Sequence, residues 1–430
     1  MSERRAPDGS ALGTGAGLPG GEAERAPGGI DRVVVVGAGL AGVRTCQELR
    51  SGGYGGELVL VGAERHPPYD RPPLSKAVLL GEQDGSPLEP AWYAGADARL
   101  GVTATGLEPG VLRTTAGELR WDRLVLATGA VPRRLPGDGG ALVLRTADDA
   151  ARLRAAFRPG ASVLVVGAGW IGAEVVTAAR RHGASVTVLE AAGAPLAVAL
   201  GVEVGAFAAP WYAEVGAVLR TGVAVSTVDG AGVTLAGGER LPADAVVEGI
   251  GVRPDLAWLA GSGVDVDPAS GGVLVDEHCR ASLAGVYAVG DCAARWSPRL
   301  GRRVRTEHWD DALHAPAVAA AVLLGDPDAL YDPVPYVWSQ QFGRFLQWAG
   351  WRDGPPAVWR GDPAGRSWSA AWLDADSRLT GFLSVDRPRD AVQARRAVDA
   401  GTPVDPGKLA DPAVPVRNAL AHRGIQVGDA

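Results

Sequence analysis

Two glycine patterns stand 130 residues apart in this chain: Gly37-x-Gly39-x-x-Gly42 in VVVVGAGLAG, and Gly167-x-Gly169-x-x-Gly172 in VLVVGAGWIG. Each follows a run of β-branched residues and leads into a helical pattern, the strand–turn–helix setting in which such glycines bind a dinucleotide. The first glycine makes the tight turn, the second lets backbone approach a pyrophosphate, and the third lets helix pack on strand. The pyrophosphate then rests on the helix N-terminus, where free N–H groups and the helix dipole favour an anion. An acid, Glu64 or Glu190, ends the second strand of each unit. Two such sites in one chain imply two dinucleotides, and hence a flavin paired with a nicotinamide. Lysine usage is a second chemical signal. Lys76 and Lys408 are the only lysines in a chain that writes its other cations as arginine. Lys76, inside the distinctive PYDRPPLSK, reads as a position that needs a compact ammonium, although usage alone fits chance placement equally well.

The elements that must position these residues follow from hydrophobic pattern. Strand 32–36, helix 40–52 and strand 57–61 make one βαβ half, and strand 123–127 runs into Ala127-Thr128-Gly129. A Pro/Gly-rich stretch, VPRRLPGDGG, marks a boundary. Strand 162–166, helix 170–182 and strand 185–189 make the second half, closed by strand 244–248 and the turn Gly249-Ile250-Gly251. VYAVGDCA reads as a strand ending at Gly290-Asp291, followed by an irregular arginine-rich loop and a helix from about Trp309. Beyond about residue 327 tryptophan and alternating patterns take over, the signature of antiparallel strands. The expected fold is α/β: two Rossmann-like dinucleotide-binding domains on a glutathione-reductase-like plan, plus a C-terminal α+β domain. The expected division is a disordered tail at 1–29, a first nucleotide domain at 30–138 and 271–326, a second at 139–270, and a C-terminal domain at 327–430.

The whole chain narrows the function. Its 430 residues exceed one hydrophobic core, and 47 % hydrophobic with 21 % charged residues is a globular composition. A net charge of −7 argues against nucleic acid. No apolar run approaches membrane-spanning length, and residues 1–29 lack the apolar segment of a signal peptide. A cytoplasmic protein is expected, monomeric or weakly dimeric, with no membrane partner. Cys46, Cys279 and Cys292 are widely spaced and form no C-x-x-C, so neither a sequence-local redox disulfide nor a metal quartet is expected. Cys46, on the first fingerprint's helix, reads as a buried structural thiol.

Further motifs occur with these in a fixed order: VGAERHPPYDRPPLSK (61–76), LATGA (126–130), LRTADDA (144–150), GIGVRPD (249–255), YAVGDCA (287–293), EHWDDALHA (307–315) and VPYVWSQQFG (334–343). Over roughly residues 30–410 the chain resembles the NADH-dependent ferredoxin reductases of bacterial oxygenase systems, the putidaredoxin-reductase and rhodocoxin-reductase group. The resemblance implies FAD at the first site, on Gly37, Gly39, Ala41 and Gly42. Glu64 would hold the adenosine ribose, and Arg71, Ala104, Thr128, Gly129 and Arg145 would line the site. Asp291 would hold the ribityl chain. Glu307, His308 and Trp309 would open a helix aimed at the flavin pyrimidine, and Trp338 would stand near the exposed flavin edge. Lys76 would lie beside flavin N5, paired with Glu174. The second site would hold NADH on Gly167, Gly169, Ile171 and Gly172, with Glu190 on the ribose and Gly249 and Gly251 closing on the nicotinamide. No Arg or Lys follows Glu190 until Arg220, so NADH is favoured over NADPH.

The resemblance also implies a partner, a small acidic two-iron, two-sulfur ferredoxin serving an oxygenase. Arg295, Arg299, Arg302, Arg303 and Arg305 of ARWSPRLGRRVR could steer it; an arginine-rich surface without a partner fits them equally well. Two departures fall toward the expected docking face. Gln340 replaces the acid of the family's F-W-S-D-Q, and Pro316 stands where a local helix distortion is expected. A disulfide or CoA-disulfide reductase would need a cysteine against the flavin, and ERHPPYDRPPLSK has none. A flavin monooxygenase, an NADH oxidase or small-molecule reductase, and a redox-sensing flavoprotein related to apoptosis-inducing factor are the remaining alternatives.

Overall fold

In the computed structural model, residues 29–421 are described, so the expected tail lies outside them but for Gly29. Val33–Val36 are buried on both sides, as expected of a central parallel strand covered on both faces. The first sheet is wholly parallel, in the order Val286–Ala288, Arg123–Leu126, Arg32–Val36, Glu57–Gly62, Asp97–Leu100. The second is also parallel, in the order Val218–Thr221, Ser185–Glu190, Ser162–Val166, Ala245–Glu248. Both fingerprints thus sit at the carboxyl ends of central strands, where open α/β sheets bind ligands.

The chain crosses between the sheets on a two-stranded antiparallel ribbon, Val131–Pro132 against Val252–Arg253. Leu135 and Ala141 already pack with Leu164 and Val166 of the second sheet. On the return, Leu256, Leu259 and Val264 pack with Val286 of the first sheet and with Leu107, Leu112 and Trp121 beside it. Packing therefore draws the second nucleotide domain in to the stretch between the ribbon strands, and residues 256–264, assigned to it from sequence, join the first domain's core. The short ribbon carries no apolar pattern of its own, so only these contacts reveal it.

The arginine-rich segment is a hairpin, Ala293–Ser297 against Arg302–Val304, where an irregular loop was expected. Arg295 is 5 % exposed and bonds Asp332 at 2.9 Å. Arg305 pairs with Glu307 and donates to the Asp291 carbonyl. Two of the five expected steering arginines are therefore internal. Helix Trp309–Leu323 runs through the buried Pro316 without ending, so the distortion expected there is no break in the helix.

The C-terminal domain is a five-stranded antiparallel sheet in the order Tyr336–Gln341, Arg344–Gly350, Leu379–Val385, Trp368–Leu373, Val358–Arg360. Alternation sends Leu346, Trp348, Trp368, Trp372 and Leu383 toward the second nucleotide domain, where they join Val176, Trp211 and Tyr212. The opposite face, with Ala349, Ala371 and Phe382, is covered by Ala394, Ala397 and Val398 of helix Pro388–Ala400. Arg360, 2 % exposed, ties the final segment down. It bonds Asp390 at 2.9 Å and also reaches the carbonyls of Leu409, Asp411 and Val414. Arg360→Met should leave those carbonyls without this donor and Asp390 with Arg387 alone, lowering stability by about 2–3 kcal/mol. Urea unfolding followed by tryptophan fluorescence measures it, and a loss under about 1 kcal/mol would contradict the anchoring role.

Candidate functional site

The glycines of each fingerprint divide by what surrounds them. A Cβ on Gly37 (φ +116°) would stand 2.1 Å from the Ala127 carbonyl oxygen, and one on Gly42 would stand 1.8 Å from that of Gly37. On Gly39 a Cβ would meet no protein atom within 4 Å. The second fingerprint repeats this. Gly167 (φ +101°) would meet the Gly249 oxygen at 2.5 Å, Gly172 would meet that of Gly167 at 2.1 Å, and Gly169 again faces open space. Outer glycines let the protein close on itself, while the middle one keeps a space clear. Gly39 and Gly169 are also the N-caps of helices Leu40–Ser51 and Trp170–Arg181, which carry no acid in their first turns. Both cradles accordingly offer unpaired N–H groups to an anion.

Around the first cradle, Glu64 takes bonds from Arg71 at 2.7 Å and from the Tyr69 hydroxyl. Arg71 also donates to the Arg145 carbonyl, and Arg145 bonds Asp291 at 2.8 Å. Thr128 Oγ1 and Arg145 Nε are buried with no partner. Unsatisfied buried polar atoms are costly, and both residues belong to the set expected to line FAD. An open cradle edged by orphaned donors fits a dinucleotide carrying hydroxyls and phosphates. Ala104 begins the antiparallel strand Ala104–Glu108, and Gly129 adopts φ +69° against the Arg145 guanidinium.

Around the second cradle, Glu190 accepts from the backbone N–H of Ala168 at 2.7 Å and of Ala192 at 2.8 Å. These bonds fix the carboxylate beside the fingerprint turn. Arg220, the first cation after Glu190 in sequence, is paired with Glu239 at 3.1 Å. Ile171 is exposed at this face, and Gly249 packs against Gly172 while Gly251 adopts φ +98°.

Between the cradles lie the residues expected to do chemistry. Lys76 Nζ is 2.9 Å from Glu174 Oε2 and 4.7 Å from the centre of the Trp338 ring. Glu174 is 3 % exposed. It also accepts from the hydroxyls of Ser75 and Ser339 and from the Gln340 N–H. Trp338 N–H donates to His308 Nε2 at 3.1 Å, and burial holds the His308 imidazole below its ordinary pKa, so at neutral pH it stays an acceptor. Trp309 Nε1 donates to Asp70 at 2.9 Å, and burial raises that carboxyl's pKa. Sequence reasoning missed Ser75, Ser339, Tyr69 and Asp70. Ser75, Tyr69 and Asp70 lay within PYDRPPLSK, whereas a serine in a C-terminal strand carries no such signal.

No thiol joins this junction. Cys46, Cys279 and Cys292 are all free and buried. Burial pushes the Cys46 and Cys279 thiols up to about 12 and raises Cys292 as well, so none is a thiolate nucleophile at neutral pH.

The glycine geometry separates folding from ligand binding. Gly42→Ala should fail to fold or lose several degrees in thermal midpoint without ligand, because its Cβ meets backbone. Gly39→Ala should leave the ligand-free midpoint unchanged while FAD retention falls. Equal loss of ligand-free stability in the two variants would contradict this division.

Comparison with known proteins agrees with the geometry. Residues 31–315 match the family described as pyridine nucleotide-disulphide oxidoreductase, and residues 336–420 match the reductase C-terminal family. The ferredoxin–NAD(+) reductase component of the anthranilate 1,2-dioxygenase system of Burkholderia cepacia is 40 % identical over 411 residues, 91 % of this chain and 99 % of that protein. The crystal structure of Fdr9 is 52 % identical with a TM-score of 0.85, covering 90 % of this chain and 99 % of its own. Putidaredoxin reductase, in its covalent complex with putidaredoxin, is 33 % identical with a TM-score of 0.85, covering 90 % and 98 %. With a lysine paired to a buried glutamate between two glycine cradles, the chain belongs to the pyridine nucleotide-disulphide oxidoreductase family, among its ferredoxin–NAD(+) reductases.

Proposed function

We propose that this chain draws electrons from NADH through bound FAD and passes them singly to a small two-iron, two-sulfur ferredoxin that serves an oxygenase, such as a haem-thiolate monooxygenase. The observation that carries this is the pair of half-buried Lys76 and buried Glu174, between two open glycine cradles with no thiol beside it. FAD, when bound, supplies the conversion of a hydride's electron pair into single-electron transfers. The first cradle would hold it through Gly37, Gly39, Ala41 and Gly42, with Glu64, Arg71, Ala104, Thr128, Gly129, Arg145 and Asp291. Glu307, His308, Trp309 and Trp338 would complete the site. The second would hold NADH through Gly167, Gly169, Ile171, Gly172 and Glu190, with Gly249 and Gly251. No Lys or Arg follows Glu190 until Arg220, and Arg220 is paired with Glu239, which supports NADH over NADPH.

Lys76 contributes a fixed ammonium, largely shielded from water, where added electron density needs stabilisation. Glu174 restrains that ammonium on the side of the nicotinamide cradle. The helix from Trp309 turns its positive end toward the same region. Free, buried cysteines support a cytoplasmic protein, and no helix among the described residues is long and apolar enough to cross a membrane.

With Arg295 and Arg305 internal, the ferredoxin's contacts lie on other cations. Arg302, Arg389, Arg396 and Arg417 are exposed and form no ion pair among the described residues. Arg389, Val392 and Arg396 share one face of helix Pro388–Ala400, with Val392 51 % exposed. Arg395 of the same helix clasps Asp310 at 2.7 Å, in the first turn of the helix aimed at the flavin.

Two outcomes test this reading. Lys76→Met should slow the bleaching of FAD by NADH on the order of 10²-fold while FAD content stays unchanged; an unaltered rate would sink the role of the ammonium. Reversing Arg389 and Arg396 to Glu should raise KM for an acidic ferredoxin about tenfold and flatten its salt dependence. NADH–ferricyanide turnover should be unaffected, and an unchanged KM would place docking elsewhere.

A further inference from the structure

Glu174 stands on the helix of the second nucleotide domain, yet its side-chain donors come from the other two. Oε2 receives Lys76 at 2.9 Å and the Ser75 hydroxyl, both from the first domain. Oε1 receives the Ser339 hydroxyl at 2.6 Å and the Gln340 N–H at 3.1 Å, both from the C-terminal sheet. Ser339 is 1 % exposed, and its oxygen accepts from the Gln341 amide at 3.2 Å. A serine hydroxyl has one hydrogen to give. That of Ser339 is committed to Glu174.

We propose that Ser339 is a positioning residue for flavin reduction, acting through Glu174. It holds Oε1 against the C-terminal domain so that Oε2 alone faces Lys76. The ammonium thereby keeps its weaker contacts with the Pro72 carbonyl at 3.4 Å and Ser75 Oγ at 3.3 Å, and its place over the Trp338 ring. Without the hydroxyl, Oε1 retains only the Gln340 N–H. The carboxylate then turns toward Lys76 and draws the ammonium out of the junction, where it would otherwise stabilise electron density on the flavin. The inference rests on the reading of Lys76 and Glu174 given above.

A merely structural serine and a positioning serine part company in a double-mutant cycle. Ser339→Ala should slow FAD reduction by NADH about tenfold in stopped flow, and in a Glu174→Gln background the same change should slow it less than twofold. A spectroelectrochemical titration should show the Ser339→Ala flavin midpoint moved negative, in the same sense as Lys76→Met. Ser339→Thr, which keeps the hydroxyl, should restore both, and Ser339→Cys, close in size with a weaker donor, should fall between. An unchanged rate in Ser339→Ala, an unmoved midpoint, or a slowing that persists undiminished in the Glu174→Gln background would overturn the inference. Unchanged reduction in both Lys76→Met and Glu174→Gln would overturn the underlying reading with it, whereas effects in those two and none in Ser339→Ala would overturn this one alone.

Discussion

A carboxylate that water scarcely reaches must be surrounded by donors, and Glu174 finds its donors only where three folded bodies meet. It is carried by the helix of the second glycine fingerprint, faces Lys76 and Ser75 from the first nucleotide domain, and is closed over by Ser339 and Gln340 of the C-terminal sheet. Withdrawing any one body would leave charge or hydrogen-bonding capacity stranded in a low-dielectric interior, a cost several times that of an exposed pair. The relative placement of the domains is therefore bound up with the chemistry. Other fasteners reinforce it without entering the site: Arg395 on Asp310, Arg344 on Glu214, and Arg352 on the carbonyls of Ala197 and Ala199.

Given that junction, the two cradles have complementary demands. Each must be tight enough to hold strand against helix and open enough to admit a pyrophosphate. Backbone oxygen lies within 2.5 Å of where a Cβ would stand on Gly37, Gly42, Gly167 and Gly172, while nothing of the protein approaches Gly39 or Gly169. The same three-glycine device solves both problems twice. The approach of Gly42 to Gly37 and of Gly172 to Gly167 spans five residues, so that part of the device shows in the sequence, while the approach of Gly37 to Ala127 and of Gly167 to Gly249 shows only in the fold.

Legibility in the sequence followed the range of the interactions. Strand–turn–helix units, the terminal acids Glu64 and Glu190, and the alternating C-terminal strands depend on neighbours a few residues away, and their positions hold to within a residue or two. The resemblance brought Lys76 and Glu174 together because it supplied a contact across 98 positions that no spacing rule encodes. Where neither locality nor resemblance helped, the reading failed. Arg295 looked like a steering cation because Asp332, its partner 37 residues on, lay outside the motif. The irregular loop turned out to be a hairpin, and residues 256–264 changed domain because the ribbon that returns the chain is too short to show a pattern. Ser339 was invisible for the same reason: a hydroxyl in a strand acquires meaning only from the carboxylate opposite it.

The family's description speaks of disulphides, yet the structure has removed the means of exchanging one. A thiol-based relay needs a thiolate at the flavin, and here all three thiols are packed into cores whose dehydration holds their protons on. At the junction stand instead an ammonium, an indole ring and a neutral imidazole acceptor. None of these can form a covalent intermediate by exchange with a disulfide. What they offer is electrostatic: charge accommodated in place, over an aromatic ring. Such a site takes no two-electron bond into the protein, so electrons can depart only by passing outward from the cofactor. The side chains at the junction thus exclude a thiol relay, in keeping with the ferredoxin–NAD(+) reductases among the chain's relatives.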